Sequence, residues 1–364
     1  MRTLKQRKAA EARFRFAGRA AIALAVAALL WLVGSVVATG AGALTHHRVE
    51  ITAADAYDPA LLSGPDLRAP ASDAPADSFR VLATARLDQH LKGREAGLTE
   101  AQVATAERWR SEGRLSRGFN TALFTRPDSR DPERAGLKTA LLGSLLMLAL
   151  ATALSLPLGV VTAVYLDSFA PRRGWGGRLS RVLEININNL AAVPAIVFGL
   201  LGLAVFINLV GLERGIALVG GLVLGLRMFP TVVISSRAAL ASVPASVTDS
   251  ALCLGASPVQ VTFGTKLPMA APGIITGSIL ALAQALGETA PLLLIGMVAF
   301  MTTAPSDLAD PATSLPVQIF LWSDGVEPAW AERTAAAILA LLALLLVINI
   351  SAAALRARLD RRRA

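Results

Sequence analysis

Arg227 and Glu288 are two ionisable residues that fall well inside long apolar runs. A charged side chain in hydrocarbon is costly, so each is expected to face a cavity or a partner and is a candidate functional group by default. Arginine offers a planar fork of donors that suits the oxygens of an oxyanion, two at a time. A carboxylate offers the complement, an acceptor for an oxygen that still carries its proton. The alternative is a salt bridge between two spans that only fixes their packing. At about 1.5 Å of rise per residue, Arg227 lies roughly 16 Å and Glu288 roughly 15 Å from the outer ends of their runs, so the two can share a depth. Pro291, three residues after Glu288, removes a backbone donor and frees carbonyls, which is easier to accommodate beside a wet pathway. Thr289 and Asn189 can add neutral hydrogen bonds to such a cavity or serve as polar glue between helices.

The elements that must position these groups are membrane helices. The chain has 364 residues, 54% of them hydrophobic and only 17% charged. Its mean hydropathy of +0.55 is too high for a soluble protein with one or two cores. About 20 predominantly apolar residues suffice to cross the hydrocarbon layer as a helix. The net charge of +9 raises the possibility of a nucleic-acid partner. The bases, however, gather at the ends of apolar runs, which is a membrane-topology pattern and argues against nucleic acid. Cys253 stands alone, which excludes an intrachain disulfide and a multi-cysteine metal site.

Residues 1–43 read as a basic start (Arg2, Lys5, Arg7, Lys8, Arg13, Arg15, Arg19) followed by a first span at 20–38. A cleaved signal has the same outline. The long basic stretch and the want of a clean small-x-small site favour an uncleaved anchor. Residues 44–136 read as a small extramembrane domain, with loop at Pro59, Pro65, Pro70 and Pro75. Thr99-Glu-Ala-Gln102 is a capping-box pattern that starts a helix towards Arg110. His46, His47 and His90 lie in this domain and read as surface residues rather than metal ligands. Further spans are expected at 137–166, 190–209, 216–235, 273–300 and 335–355, with a short basic loop at 167–187. A turn follows at 211–215, then a central loop at 236–272, an acidic stretch at 304–332 and a basic tail at 356–364. Lys and Arg of the short loops place both termini in the cytoplasm, 44–136 outside and 236–272 inside. Gly264-Thr265-Lys266 lacks the earlier glycine and the hydroxyl of a nucleotide-binding loop, and neither a Ser-His-Asp set nor a metal-binding helix motif is present. The chain is expected to be no enzyme and to hold no cofactor or metal, so energy for uphill movement has to come from a partner.

In the central loop, 246–254 can form a short helix that Gly255 ends in a left-handed conformation. Ser257 then caps a second helix with Pro258 at its first position, and Leu267-Pro268 is expected to end it. Such a knob suits the grip of a soluble partner, or merely tidies the connection between two spans.

The stretch resembles the signature loop of permeases of ABC importers: an acid, small residues, glycine, then Leu-Pro at fixed spacing. Asp249-Ser250-Ala251, Gly255, Leu267 and Pro268 carry the likeness, with Ser250 where the pattern has alanine. Ala283-Gln-Ala-Leu-Gly-Glu-Thr-Ala-Pro-Leu-Leu-Leu294 resembles the fifth-span signature of PstA-type phosphate permeases. Gly136-Leu-Lys-Thr-Ala-Leu-Leu-Gly-Ser144, Pro157-Leu-Gly159 and Asn189-Leu-Ala-Ala-Val-Pro194 are similar to other segments of that group. Shorter members carry charged residues where this chain has Ile234 and Arg237, so no role is carried onto those two. The resemblance covers about 115–360. It implies an all-α membrane protein of the type I, MetI-like importer fold, with six spans and a small extracytoplasmic domain after the first. It implies a phosphate-import subunit of a bacterial inner membrane whose first loop helix docks on an ATPase. Implied partners are a second permease in a heterodimer, a pair of ATPase subunits holding ATP and Mg, a periplasmic phosphate-binding protein and lipid. Arg227 would then draw phosphate, and Glu288 would accept from its remaining P–OH while repelling a fully ionised anion. Import of molybdate or sulfate, or a receptor with an external sensing domain, are the competing readings.

Overall fold

The computed structural model describes residues 4–52, 58–63, 69–70, 78–94, 96–297 and 300–361. The loop expected at Pro65 and Pro75, and the tail at 362–364, lie outside them. Two compact units emerge, one of 1–120 with 326–339 and one of 121–325 with 340–364.

In the first unit α1 (Leu4–Ala43) is one continuous helix that includes most of the basic start. The region read as loop and helix also holds an antiparallel sheet of β1 (Thr45–Thr52), β2 (Ala69–Pro70), β3 (Ser78–Leu82) and β4 (Leu115–Phe119), ordered β2-β3-β1-β4. Pro70, expected in a loop, pairs with Phe79 on the edge strand, where a missing N–H is tolerated. Val49 faces Val81 across the β1–β3 ladder. Both pack with Ile51, Leu61, Leu62 and Leu87, under α2 (Ala85–Leu91) and α3 (Glu100–Ser111), where Trp109 is also buried.

The expected capping box opens α3. Thr99 Oγ1 accepts from the Gln102 N–H (3.4 Å) and Gln102 Oε1 accepts from the Thr99 N–H (3.1 Å). Thr99→Ala is therefore expected to destabilise this helix by about 1 kcal/mol, read as faster amide exchange at Gln102 and Val103; unchanged exchange would show that the box contributes nothing.

The histidines differ from expectation. His46 is buried and His47 half-buried, and both rings lie against Asp88 of α2. Asp88 Oδ1 accepts from the His47 N–H (3.0 Å) and from its Nδ1 (2.8 Å), and Asp88 Oδ2 lies 3.6 Å from His46 Nδ1 and 2.5 Å from Lys92 Nζ. Spacing along the chain did not disclose this carboxylate, which the fold of α2 over β1 supplies. Among the described residues no group of three or more His, Cys, Asp or Glu is placed to hold a metal ion.

In the second unit α5 (Lys138–Val164), α8 (Ala217–Ala241) and α11 (Leu267–Leu286) pack together. Their shared core includes Met147, Ala151, Val219, Val223, Met228, Ala281 and Ala285. Close approach rests on small residues: a Cβ on Gly159 would lie 2.7 Å from Val232, and one on Gly273 2.7 Å from Ala239. The first turn of α8 is closed from outside the helix. Ala217 N–H donates to the Asp310 carbonyl (3.0 Å) and Leu218 N–H to that of Leu308 (2.8 Å). The acidic stretch that supplies them also forms α13 (Leu315–Ser323), while the last helix, α14 (Pro328–Arg361), starts earlier than expected.

Three further differences shape the site. The basic loop expected at 167–187 is largely the helix α6 (Gly174–Ala191), which breaks and turns by 104° into Ala195–Leu209. The second helix of the central loop does not end at Leu267-Pro268. α10 (Pro258–Val261) passes through a π turn (Thr262–Lys266) directly into α11. The wider turn accommodates the N–H that Pro268 lacks, so the proline bends the ladder without stopping it. Conversely, the fifth apolar run stops being helical at Leu286 and resumes only as α12 (Ala290–Leu294). Among the described residues five helices are long and apolar enough to cross a membrane, and up to six if the bent pair is one span.

Candidate functional site

Glu288 stands in the break between α11 and α12. Its N–H still donates to the Ala285 carbonyl (3.2 Å), while the Thr289 carbonyl accepts from Leu292 and Leu293 at 3.1 Å each, opening the next turn. Pro291 sits in the first turn of α12 and not inside a long span, so the missing N–H falls where a helix has no internal acceptor for it. The break turns Glu288 towards α8. There Arg227 Nη2 lies 3.4 Å from Glu288 Oε1, with both side chains about four-fifths buried. The structure thus brings the two candidates into contact, although the unbroken helical rise through Glu288 expected from the sequence is interrupted by the break.

Arg227 is not saturated by this contact. Its Nε is buried and has no acceptor among the described residues. The guanidinium carbon lies 6.0 Å from the ring centroid of Phe198, on α7 (Ala195–Gly202), close enough for the ring face to favour the cation. Phe198 is itself buried, and α12 lies close on the adjoining turn because Gly199 has no side chain: a Cβ there would sit 2.6 Å from Pro291 Cα. A guanidinium with an unspent donor, an acid loosely paired to it and an aromatic wall can exchange its internal ion pair for an oxyanion. Phe198 was missed in the sequence because nothing in an apolar helix marks the one aromatic residue that a remote arginine will meet.

The other candidates separate from this pair. Thr289 is half-buried at the break, beside Glu288 in the chain. Asn189 is exposed near the end of α6, its carbonyl accepting from Ala192 N–H (3.0 Å). Arg237 pairs with Glu184 of α6, at the opposite end of α8 from its capped first turn.

The central loop is built as its residues dictate. α9 (Ala245–Cys253) carries Asp249, Ser250 and Ala251 and has no buried residue. Gly255 takes φ +86°; its N–H bonds to the Leu252 carbonyl (2.9 Å) and the Ala256 N–H to that of Ala251 (3.2 Å), closing the helix in a left-handed cap that needs glycine. Ser257 and Gln260 form a second capping box at the start of α10, with Pro258 at the first helical position. Leu254, at the tip, is 90% exposed. Behind this knob, Lys266 Nζ lies 2.5 Å from Asp167 Oδ2, joining the π turn before α11 to a second π turn, Tyr165–Phe169, at the end of α5. Neither Asp167 nor Lys266 is a candidate on sequence grounds, where Lys266 draws notice only as part of an incomplete nucleotide-binding loop.

Residues 139–364 match the family model described as "Binding-protein-dependent transport system inner membrane component", and 1–56 match a domain of unknown function. The chain is 33% identical over 229 residues to "Phosphate transport system permease protein PstA 1" of Mycobacterium tuberculosis, covering 63% of this chain and 73% of that one. Against "Phosphate transport system permease protein PstA" of Yersinia pestis the identity is 31%, covering 65% and 77%. Among solved structures, a chain of the inward-facing MetNI methionine ABC transporter aligns with a TM-score of 0.50 at 17% identity. It covers 61% of this chain and 96% of that chain, a likeness of fold alone. The chain therefore belongs to the binding-protein-dependent inner-membrane permeases of ABC importers, PstA type, and has their MetI-like helical core.

Proposed function

We propose that this chain is a membrane-spanning subunit of an ATP-driven importer of inorganic phosphate. The observation that carries the reading is the Arg227–Glu288 pair, held at a helix break with the buried Arg227 Nε left without an acceptor among the described residues. Near neutral pH phosphate presents both ionised oxygens and a P–OH. Arg227 receives the first and Glu288 accepts from the second, a combination that a fully ionised sulfate does not satisfy. Thr289, beside Glu288 at the break, is a secondary member of the pathway, whereas Asn189, exposed near the end of α6, stands apart from the pair. Both termini and 236–272 face the cytoplasm, and 44–136 form the extracytoplasmic domain. A second permease, an ATPase pair carrying ATP and Mg, and an external phosphate-binding protein complete the complex.

Reconstitution with those partners tests the reading: ATP-dependent uptake of labelled phosphate is expected, with little competition from sulfate or molybdate. Uptake displaced equally by either anion would overturn phosphate as the substrate. The knob at α9 supplies a separate test. Gly255→Val forces a side chain into the left-handed region, at roughly 1–2 kcal/mol, and is expected to abolish co-purification of the ATPase subunits with a chain that still inserts. Undiminished co-purification would remove Asp249, Ser250, Ala251, Gly255, Leu267 and Pro268 from the coupling role.

A further inference from the structure

The amphipathic helix α6 presents a face that nothing in its own unit covers. Trp175, Leu179, Val182 and Leu183 are 85%, 60%, 52% and 43% exposed, and at 100° per residue they form one apolar stripe. Arg178 and Arg181 flank that stripe on one side, and Arg172 and Arg173 precede the helix; all four are exposed. The acid within the helix, Glu184, points away and is engaged by Arg237 of α8. Ile187 packs into the core around Leu240 and Ile274, so the helix has an inner side and an outer one.

Its position against α8 and its angle to the next helix are also fixed. Arg237 lies in the final turns of α8, so the ion pair holds α6 level with that end of the helix. The 104° turn at the end of α6 sets it nearly perpendicular to Ala195–Leu209. Where that segment runs across the bilayer, α6 lies along the surface. An interfacial helix with tryptophan and leucine on one side and arginines beside them inserts its apolar stripe among acyl chains and leaves its bases among headgroups.

We propose that α6 is an anchor for anionic phospholipid, with Trp175, Leu179, Val182 and Leu183 in the acyl region and Arg172, Arg173, Arg178 and Arg181 on acidic headgroups. The inference goes beyond the transport reading and does not depend on it, because the four arginines have no part in the Arg227–Glu288 site. Charge complementarity selects the occupant: a stripe edged by bases only favours an acidic headgroup over a zwitterionic one, by about fivefold for each arginine engaged.

The full chain reconstituted in vesicles of phosphatidylcholine and phosphatidylglycerol, with one lipid brominated at a time, tests this by quenching of tryptophan fluorescence. The Trp175 signal is the difference between the native chain and Trp175→Phe. Brominated phosphatidylglycerol is expected to quench Trp175 more strongly than brominated phosphatidylcholine at equal mole fraction, and high salt to erase the difference. Replacing the four arginines by Gln should abolish the preference, while replacing them by Lys should keep it; the salt series needs no variant and stands if the Gln variant fails to fold. Equal quenching by both lipids would overturn anionic selectivity. Absence of quenching by either would show that protein, such as a neighbouring subunit, covers the face.

Discussion

Arg227→Met is expected to lower phosphate uptake by the assembled complex at least a hundredfold, with the amount of complex in the membrane unchanged. Removing one member of a desolvated ion pair costs roughly 2–5 kcal/mol, partly because the other charge is left buried without its partner. Here Glu288 would be that survivor, repelling the anion the site is meant to pass. Arg227→Lys restores charge without the planar fork and should recover only part of the rate. Glu288→Gln keeps the shape, frees Arg227 to hold the anion and leaves only a neutral, weaker acceptor for the P–OH, so uptake is expected to fall about tenfold as the anion leaves more slowly. The double exchange of Arg227→Glu with Glu288→Arg decides the matter. A pair that only fixed packing between α8 and the break would work in either order, and full recovery of uptake would refute the pathway role. Continued failure with normal assembly would show that the arginine is needed where it stands.

That pair was legible in the sequence because a charge in an apolar run is rare and rise per residue is fixed, so two depths can be compared without a structure. The local surroundings were not. Gly287 and Pro291 were read as features inside a span, whereas the helix ends at Leu286, and the apolar composition of 273–300 hides the break. Pro268 misled in the opposite direction, since a π turn lets the helix continue past a proline that local propensity would use as a stop. Gly255, Ser257 and Thr99 were read correctly because capping depends on immediate neighbours, which the sequence states outright. α6 was taken for loop because its arginines dominate a linear reading, although its apolar residues recur at helical spacing. The sheet of the first unit escaped notice for another reason: its strands are short and lie apart in the chain, so their pairing is long-range information.

Asp88→Asn is expected to unfold the β1–α2 region of the first unit at neutral pH, a loss of about 3–5 kcal/mol. The carboxylate gathers the His47 N–H and ring, the His46 ring and the Lys92 ammonium. Lys92 also donates to the Gly42 carbonyl (2.8 Å) and Glu332 Oε2 (3.1 Å), and Glu332 pairs with Arg94, so losing Asp88 unbalances a buried network. The same network predicts acid sensitivity. Burial pushes His46 down from 6.5 to about 4, opposed by Asp88 and assisted by the positive charges of Arg333 and Lys92. Between those two values the unfolded chain binds a proton that the folded unit refuses. Stability from His46 is thus complete above pH 6.5 and is lost as pH falls towards 4, by about 3 kcal/mol in all. Asp88 acts lower. Its hydrogen bonds and the neighbouring positive charges hold its carboxyl below the usual range against the opposing effect of burial, so its contribution persists above 3.8 and fades only under stronger acid. Amide exchange at Val49 and Val81, at the centre of the β1–β3 ladder, should accelerate from pH 6.5 to 4 beyond the intrinsic dependence of exchange on pH. His46→Gln retains a donor for the Ala83 carbonyl, which accepts from Nε2 at 3.0 Å in the native unit, and should flatten the response in that window while leaving the decline below 3.8. Equal protection at pH 6.5 and 4 in the native chain would show that His46 titrates alike in both states, and the buried cluster would lose its place as the acid-sensitive point of the domain.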